Sequence, residues 1–335
     1  MKKKICLFLR KPIKDKNFSI ENFYYELFKN FNDKKIKIKF KICPLESKNF
    51  FNRIYLCFWA FFNQGSINHI CGDINFISFF LSKKKTINTI LDCYSMKRLK
   101  MMKRLLYLIF WLKIPLYKSK RIITISKKTS DEVIKYTNLK NTKKIDVIGV
   151  CTLSDYKKSI KKKINKIPKI LIVGTAENKN ISNIILSLRN IKCELVIIGI
   201  LKKNVIQEIQ KNKINYKNYV SISKNKLINI YKKSDLLLYP SNYEGFGMPI
   251  IEAQSIGRAV ITSKIEPMKS VAGNGAIFVN PRKISEISKA VKIIINSYRL
   301  RNSLIKKGFD NIKRFKKEVI LKKHLKVYND VINSL

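Results

Sequence analysis

Residues 244–252 read Glu-Gly-Phe-Gly-Met-Pro-Ile-Ile-Glu. Two carboxylates bracket two glycines and a proline, in a chain with 22 acidic residues against 70 basic ones. Gly245 and Gly247 permit a tight turn and close approach of backbone to a ligand. Pro249 just inside a helix start and Gly257 just past its end follow the usual asymmetry of helix termini. The start of such a helix gathers N–H groups and the positive end of the dipole, which suits an anion and most often a phosphate. A carboxylate does not bind phosphate, but it accepts two hydrogen bonds from a sugar diol. With Glu252 on the first helical turn and Glu244 just before the loop, the pattern suggests a nucleoside diphosphate joined to a sugar. The competing reading is plainer. Acids near helix starts suit the dipole in any protein, and a lone GxG is only a turn signal.

These residues need elements to position them. The short apolar run Leu236–Tyr239, stopped by Pro240, reads as a buried strand feeding the loop. Strand-like runs alternate with helical patterns along the whole chain. In the first half they fall at 3–9, 36–42, 67–70, 86–91, 121–126 and 144–149, with helical patterns such as 19–31 and 129–136 between them. In the second half they fall at 169–174, 194–199, 218–222, 235–240, 259–263 and 276–280. Alternating strand and helix implies parallel sheets covered on both faces. The lysine-rich stretch 151–169 lacks an apolar pattern and reads as a linker. The expected architecture is α/β, with two doubly wound domains facing a cleft and ligands beyond the carboxyl ends of the strands. The first domain spans 1–160 and the second 161–315. A C-terminal helix, 316–335, is expected to pack back toward the first domain.

Composition narrows the chemistry. The seven cysteines are scattered, form no CxxC pair and read as reduced thiols in a cytosolic protein. Only His69 and His324 are present, so a histidine-rich metal site is excluded. The start MKKKICLFLRKP carries too short an apolar run for a signal peptide, and the longest apolar run, 54–62, cannot span a bilayer. The formal net charge is +48. Part of it reads as a general bias toward lysine, and part as a preference for a polyanionic partner. Residues 97–128 hold eleven basic residues and no acidic one. Much of that stretch has the basic amphipathic character of an interfacial helix on an anionic membrane. Nucleic acid is the weaker alternative, because the aromatics sit in apolar runs and no RNA-binding motif is present.

The stretch YPSNYEGFGMPIIEAQSIGRAVITS, with VAGNGAIFVNP at 271–281, resembles the retaining glycosyltransferases of family 4, which have the GT-B fold of two Rossmann-like domains. Their paired glutamates are matched by Glu244 and Glu252. The resemblance extends to ILIVGTAENKN (170–180) and SKNKLINIYKKSDLLLYPS (223–241), and more weakly to INHICGDIN (67–75) and ITISKKTSDEV (123–133). It implies a transferase that moves a sugar, with retention, from a nucleotide-diphosphate sugar to a glycan or lipid-linked acceptor. It implies that Glu252 holds the donor ribose and that Glu244 faces the reacting sugar. The amides of Phe246, Gly247 and Met248 would contact the diphosphate, Lys179 would neutralise it, and Gly174 and Thr175 would approach it. No metal or other cofactor is called for, and no DxD motif is present. Acceptor binding would belong to the first domain.

The chain departs from the family's pattern at two places. The family's frequent His-Asp pair is here Leu91-Asp92, and its Pro-Glu before VAG is Lys269-Ser270. Asp92 is retained as a catalytic candidate. Leu91 cannot pair a donor 6-hydroxyl, which favours a 6-deoxy sugar; it also fits a degenerate homologue that serves as a partner subunit. His69 reads more readily as a packed, hydrogen-bonded residue than as a catalyst. The expected location is the cytoplasm, peripheral on the inner face of the plasma membrane.

Overall fold

A computed structural model describes residues 2–12, 19–152, 155–161 and 163–335. The chain forms two compact units: residues 1–151 with 317–335, and residues 152–316.

The first unit holds β1 (Lys3–Leu9), β2 (Ile36–Ile42), β3 (Ile67–Ile70), β4 (Thr86–Ile90), β5 (Arg121–Thr124) and β6 (Ile145–Val147). They make one sheet in the order β2-β1-β3-β4-β5-β6, and every described pairing is parallel. The second unit holds β7 (Lys169–Val173), β8 (Glu194–Ile198), β9 (Asn215–Tyr219), β10 (Leu236–Tyr239), β11 (Ala259–Ser263) and β12 (Ile277–Val279). Its sheet runs β12-β11-β10-β7-β8-β9, again all parallel. Central strands such as β8 and β10 are buried on both faces, which is why they read as unbroken apolar runs. In both sheets the strand order reverses beside the first strand of the unit, at β1/β3 and at β7/β10. Crevices for ligands open at such reversals, beyond the carboxyl ends of the strands.

The C-terminal helix Lys317–Ile332 belongs to the first unit. Its Tyr328 hydroxyl is 2.7 Å from His69 Nδ1, and His69 Nε2 is 2.8 Å from Thr89 Oγ1. His69 is fully buried, and its ring nitrogens are engaged within the fold.

Several local expectations are corrected. The edge strand β9 lies at 215–219 rather than 218–222. Ser221 is in the left-handed region at φ 50° and ends the extended run, while Asn218 Nδ2 ties the strand to Gly199 O at 2.8 Å. The stretch 151–169 is no free linker; Leu153, Ser154 and Lys162 within it lie outside the described residues. Ser159 N–H donates to Ile256 O at 3.0 Å, Lys161 Nζ stands 2.6 Å from Asp235, and the Asn165 side chain donates to Asp235 at 2.8 Å. Its lysines and asparagines are thus used on a buried acid. The basic stretch 97–128 is not one helix. It breaks into helices Tyr94–Arg98 and Met101–Tyr107, a π-helical stretch Leu108–Lys113, a turn of helix Ile114–Tyr117, and then β5. Pro115 has no N–H to give the carbonyl four residues back, and the wider π turn sits just before it.

Candidate functional site

The loop between β10 and the helix Met248–Ile256 is placed as the residues suggested. Gly247 precedes the helix at φ +104° and no side chain caps it; Pro249 lies in its first turn, and Gly257 closes it at φ +84°. An uncapped helix start leaves the dipole's positive end to whatever occupies the loop. Phe246 is buried with its ring edge-on to Phe315 at 5.6 Å, which pins the loop.

Beside it, β7 is followed by Gly174, φ +90°. The Gly174 N–H donates to Ile198 O at 2.8 Å and is committed to the sheet. The glycine supplies room instead, since a Cβ there would stand 2.8 Å from Lys179 Cε. Thr175 Oγ1 donates to Ile200 O at 2.7 Å, joining this loop to the one after β8. Lys179, at the end of the short turn Glu177–Lys179, reaches across to β10. Its ammonium is 2.7 Å from Glu244 Oε1 and donates to the Tyr239 hydroxyl at 2.7 Å. Asn178 Nδ2 donates to Tyr243 O at 2.7 Å and holds the same loop from below. Burial and the adjacent Glu244 charge keep the Tyr239 phenol protonated, its pKa well above the ordinary value. Gly174, Thr175, Lys179, Glu244, Phe246, Gly247 and Met248 therefore gather at the β7/β10 reversal.

Glu252 needs a correction. It lies beyond the first turn of its helix, 9 % exposed, and its Oε2 accepts from Tyr231 at 2.7 Å. Burial raises its pKa, opposed by hydrogen bonds from Tyr231 and Tyr156. A carboxylate held by two phenols is fixed in orientation before any ligand arrives. Sequence reasoning missed Tyr156, Tyr231, Tyr239 and Asn178. Asn178 stood next to Lys179 in the same turn. The tyrosines come from three separate segments and carry no local signal.

Asp92 belongs to the first unit, where it follows β4. Its Oδ1 accepts the Tyr94 N–H at 2.8 Å. It lines a 210 Å³ pocket with Arg10, Gly72, Asp73, Asn75, Leu91 and Tyr107, at the β1/β3 reversal of that sheet. Burial and the Asp92 charge push the Asp73 carboxyl up to about 6, opposed by Arg10 and a hydrogen bond from Trp111. Asn75 is only 4 % exposed, and its Oδ1 has no hydrogen-bond partner. A buried amide oxygen without a donor costs about 1–3 kcal/mol, unless a ligand supplies one.

Two parallel six-stranded sheets with helices between their strands have the GT-B α/β fold. Residues 155–311, nearly the whole of the second unit, match the family model of the glycosyl transferases group 1. The O-antigen chain mannosyltransferase RfbU of Salmonella typhimurium is 30 % identical over 222 residues, 62 % of this chain and 61 % of its own length. The N,N'-diacetylbacillosaminyl-diphospho-undecaprenol alpha-1,3-N-acetylgalactosaminyltransferase of Campylobacter jejuni is 22 % identical over 111 residues, 32 % of this chain and 30 % of that one. The chain thus spans at most about three fifths of these relatives. Among solved structures, sucrose-phosphate synthase of Thermosynechococcus elongatus superposes with TM-score 0.80 at 14 % identity, covering 100 % of both chains. HepE of Anabaena, in complex with UDP and glucose, superposes with TM-score 0.77 at 13 % identity over 98 % of this chain and 100 % of that one.

Proposed function

We propose that this chain is a retaining glycosyltransferase of family 4. It takes a sugar from a nucleotide-diphosphate donor and passes it to a glycan or lipid-linked acceptor in polysaccharide biosynthesis. One observation carries the reading: Lys179, Glu244 and the uncapped start of Met248–Ile256 meet at the β7/β10 reversal of a group 1 glycosyltransferase domain.

When the sugar leaves, negative charge builds on the diphosphate. The helix start and the Lys179 ammonium stand ready to take it, which needs no reorganisation at the moment of reaction. Lys179 is paired with Glu244 beforehand, so donor entry exchanges one oxyanion partner for another and frees Glu244 to face the sugar. Glu252, fixed by Tyr231, accepts the ribose hydroxyls. An ammonium and a helix end supply the positive charge that other transferases obtain from a divalent cation, so turnover proceeds in a chelator. The acceptor enters the pocket of Asp73, Asn75 and Asp92, whose oxygens suit hydroxyl donors. The Campylobacter relative's name includes a diphospho-undecaprenol acceptor, which supports a lipid-linked acceptor here. Peripheral contact with an anionic membrane on its cytoplasmic face goes with such a substrate, and nucleic acid has no place in the reading.

The test is a panel of nucleotide sugars, with thermal shift for binding and nucleoside-diphosphate release for turnover. Stabilisation by some donors and acceptor-dependent release are expected. Stabilisation without release by any donor and acceptor would favour the inactive partner-subunit reading. No stabilisation by any nucleotide would overturn the proposal.

A further inference from the structure

The helix Phe50–Phe62 of the first unit presents a continuous aromatic face to solvent. Its buried side, Leu56, Cys57 and Ala60, packs into a core with Phe8 and Ile70. The opposite side exposes Phe51 at 79 %, Tyr55 at 51 %, Phe58 at 49 % and Phe62 at 80 %. Their spacing of four, three and four residues places them along one stripe. The only charged residue of the helix is Arg53, and its guanidinium lies 4.9 Å over the Trp111 ring. The face continues onto Phe80, whose ring is 4.8 Å from Phe58. Met101 and Met102, 80 % and 70 % exposed, add apolar surface elsewhere on the same unit. A patch this large on a folded protein marks a docking surface.

The charge carried by this part of the sequence selects the occupant. Residues 47–128 contain sixteen lysines and arginines and only two acids, Asp73 and Asp92, both of which line the pocket described above. Lys83, Lys84 and Lys85 form one short turn, and five basic residues lie between 97 and 104. A second copy would bring another +48 against a chain that already carries +48. An anionic bilayer matches both features, offering acyl chains to the aromatics and phosphates to the lysines. The helix has 13 residues, too few to span, and no described helix is long and apolar enough to cross a membrane.

We propose that the helix Phe50–Phe62 lies in the plane of an anionic bilayer, with Phe51, Tyr55, Phe58 and Phe62 below the headgroups. The inference deepens the peripheral membrane contact proposed above by naming the face that makes it, and it is tested apart from transferase activity, since an inactive homologue with this face would bind in the same way. It gives membrane binding a part that salt does not screen.

The chain's two tryptophans report on this face, Trp59 on the helix and Trp111 beneath Arg53. The full chain is mixed with vesicles of equal phosphatidylglycerol and phosphatidylcholine whose acyl chains are brominated, and with unbrominated controls. Bromine-dependent quenching of tryptophan emission is expected, together with pelleting that persists in part at about 0.5 M salt, where the Debye length is only a few ångström. Phe51→Ser with Phe62→Ser, both at exposed positions, should weaken vesicle binding at least about tenfold with an unchanged melting temperature. Absence of quenching, or native-strength binding by the double variant, would overturn the proposal. Self-association without lipid that the double variant abolishes, with no vesicle pelleting by the native chain, would also overturn it and assign the face to a second copy.

Discussion

Lys179 Nζ stands 2.7 Å from Glu244 Oε1, so the two residues expected to meet opposite ends of a donor begin by meeting each other. Their side chains are only 16 % and 11 % exposed, which makes the pair stronger than an open surface bridge. Lys179→Met removes the charge and keeps the stem. Nucleoside-diphosphate affinity should fall by about 10- to 100-fold, the loss expected for a charge-assisted contact of about 1.5–3 kcal/mol. Glu244→Gln keeps the donor bound and should lower kcat more than affinity. Titration calorimetry and steady-state kinetics on both variants check the division of roles.

Gly174→Ala should injure the same site through the backbone. At φ +90° a side chain is strained, and its Cβ would meet Lys179 Cε at 2.8 Å. We expect a stability loss of about 1–2 kcal/mol and donor affinity close to that of Lys179→Met. Denaturant melts and donor titration measure the two effects separately.

Glu252→Ala should cost stability as well as binding. Tyr231 donates to this carboxylate in the interior and would lose its acceptor, at about 1–3 kcal/mol. Glu252→Gln keeps an acceptor oxygen for a phenol. It should therefore recover most of the melting temperature while donor binding stays weak. Equal loss of stability in both variants would argue against the tyrosine contact.

Asn75→Ala should act on the acceptor alone. Its Oδ1 is buried, without a partner, in the first unit's pocket. Acceptor KM should rise by about five- to thirtyfold, the worth of a hydrogen bond of about 1–2 kcal/mol, with donor affinity unchanged. Initial rates at saturating donor give the answer.

The C-terminal helix should loosen in acid. His324 is 1 % exposed, and burial lowers its pKa from 6.5 to about 4; His69 is lowered as well. Between those values these two histidines bind more protons in the unfolded chain than in the folded one, so their contribution to stability falls as pH drops, opposed by Asp73, whose raised pKa acts in the other direction. The histidine contribution is full above about pH 6.5 and declines toward pH 4. The His324 part amounts to about 3 kcal/mol. His324→Phe should flatten that slope in denaturant melts taken across this range, and an unchanged slope would remove His324 as its source.

Most strands were legible because period, length and stop signals are local properties. The run Leu236–Tyr239 before Pro240, and the helix between Pro249 and Gly257, stand where the residues place them. So does the order of the β7 and β10 loops in the chain, and with it the residues that each loop brings to the site. The edge strand β9 was misplaced because Val220 and Ile222 look apolar, yet the strand ends before the left-handed Ser221. The stretch 151–169 looked idle because a lysine's partner, here Asp235, lies far away in sequence. Tyr231 and Tyr156 on Glu252 and Tyr239 on Lys179 are likewise contacts across the chain, and the burial of Asn75 Oδ1 without a partner is decided there too. The same holds for the aromatic run at 50–62. Its composition was plain in the sequence, but only packing divides it into a core face of Leu56, Cys57 and Ala60 and an exposed face of Phe51, Tyr55, Phe58 and Phe62. Local pattern sets which element forms, because backbone geometry repeats over a few residues. Tertiary structure alone decides which side chains are paired, buried or left facing water, because those fates depend on neighbours that the chain brings together only when it folds.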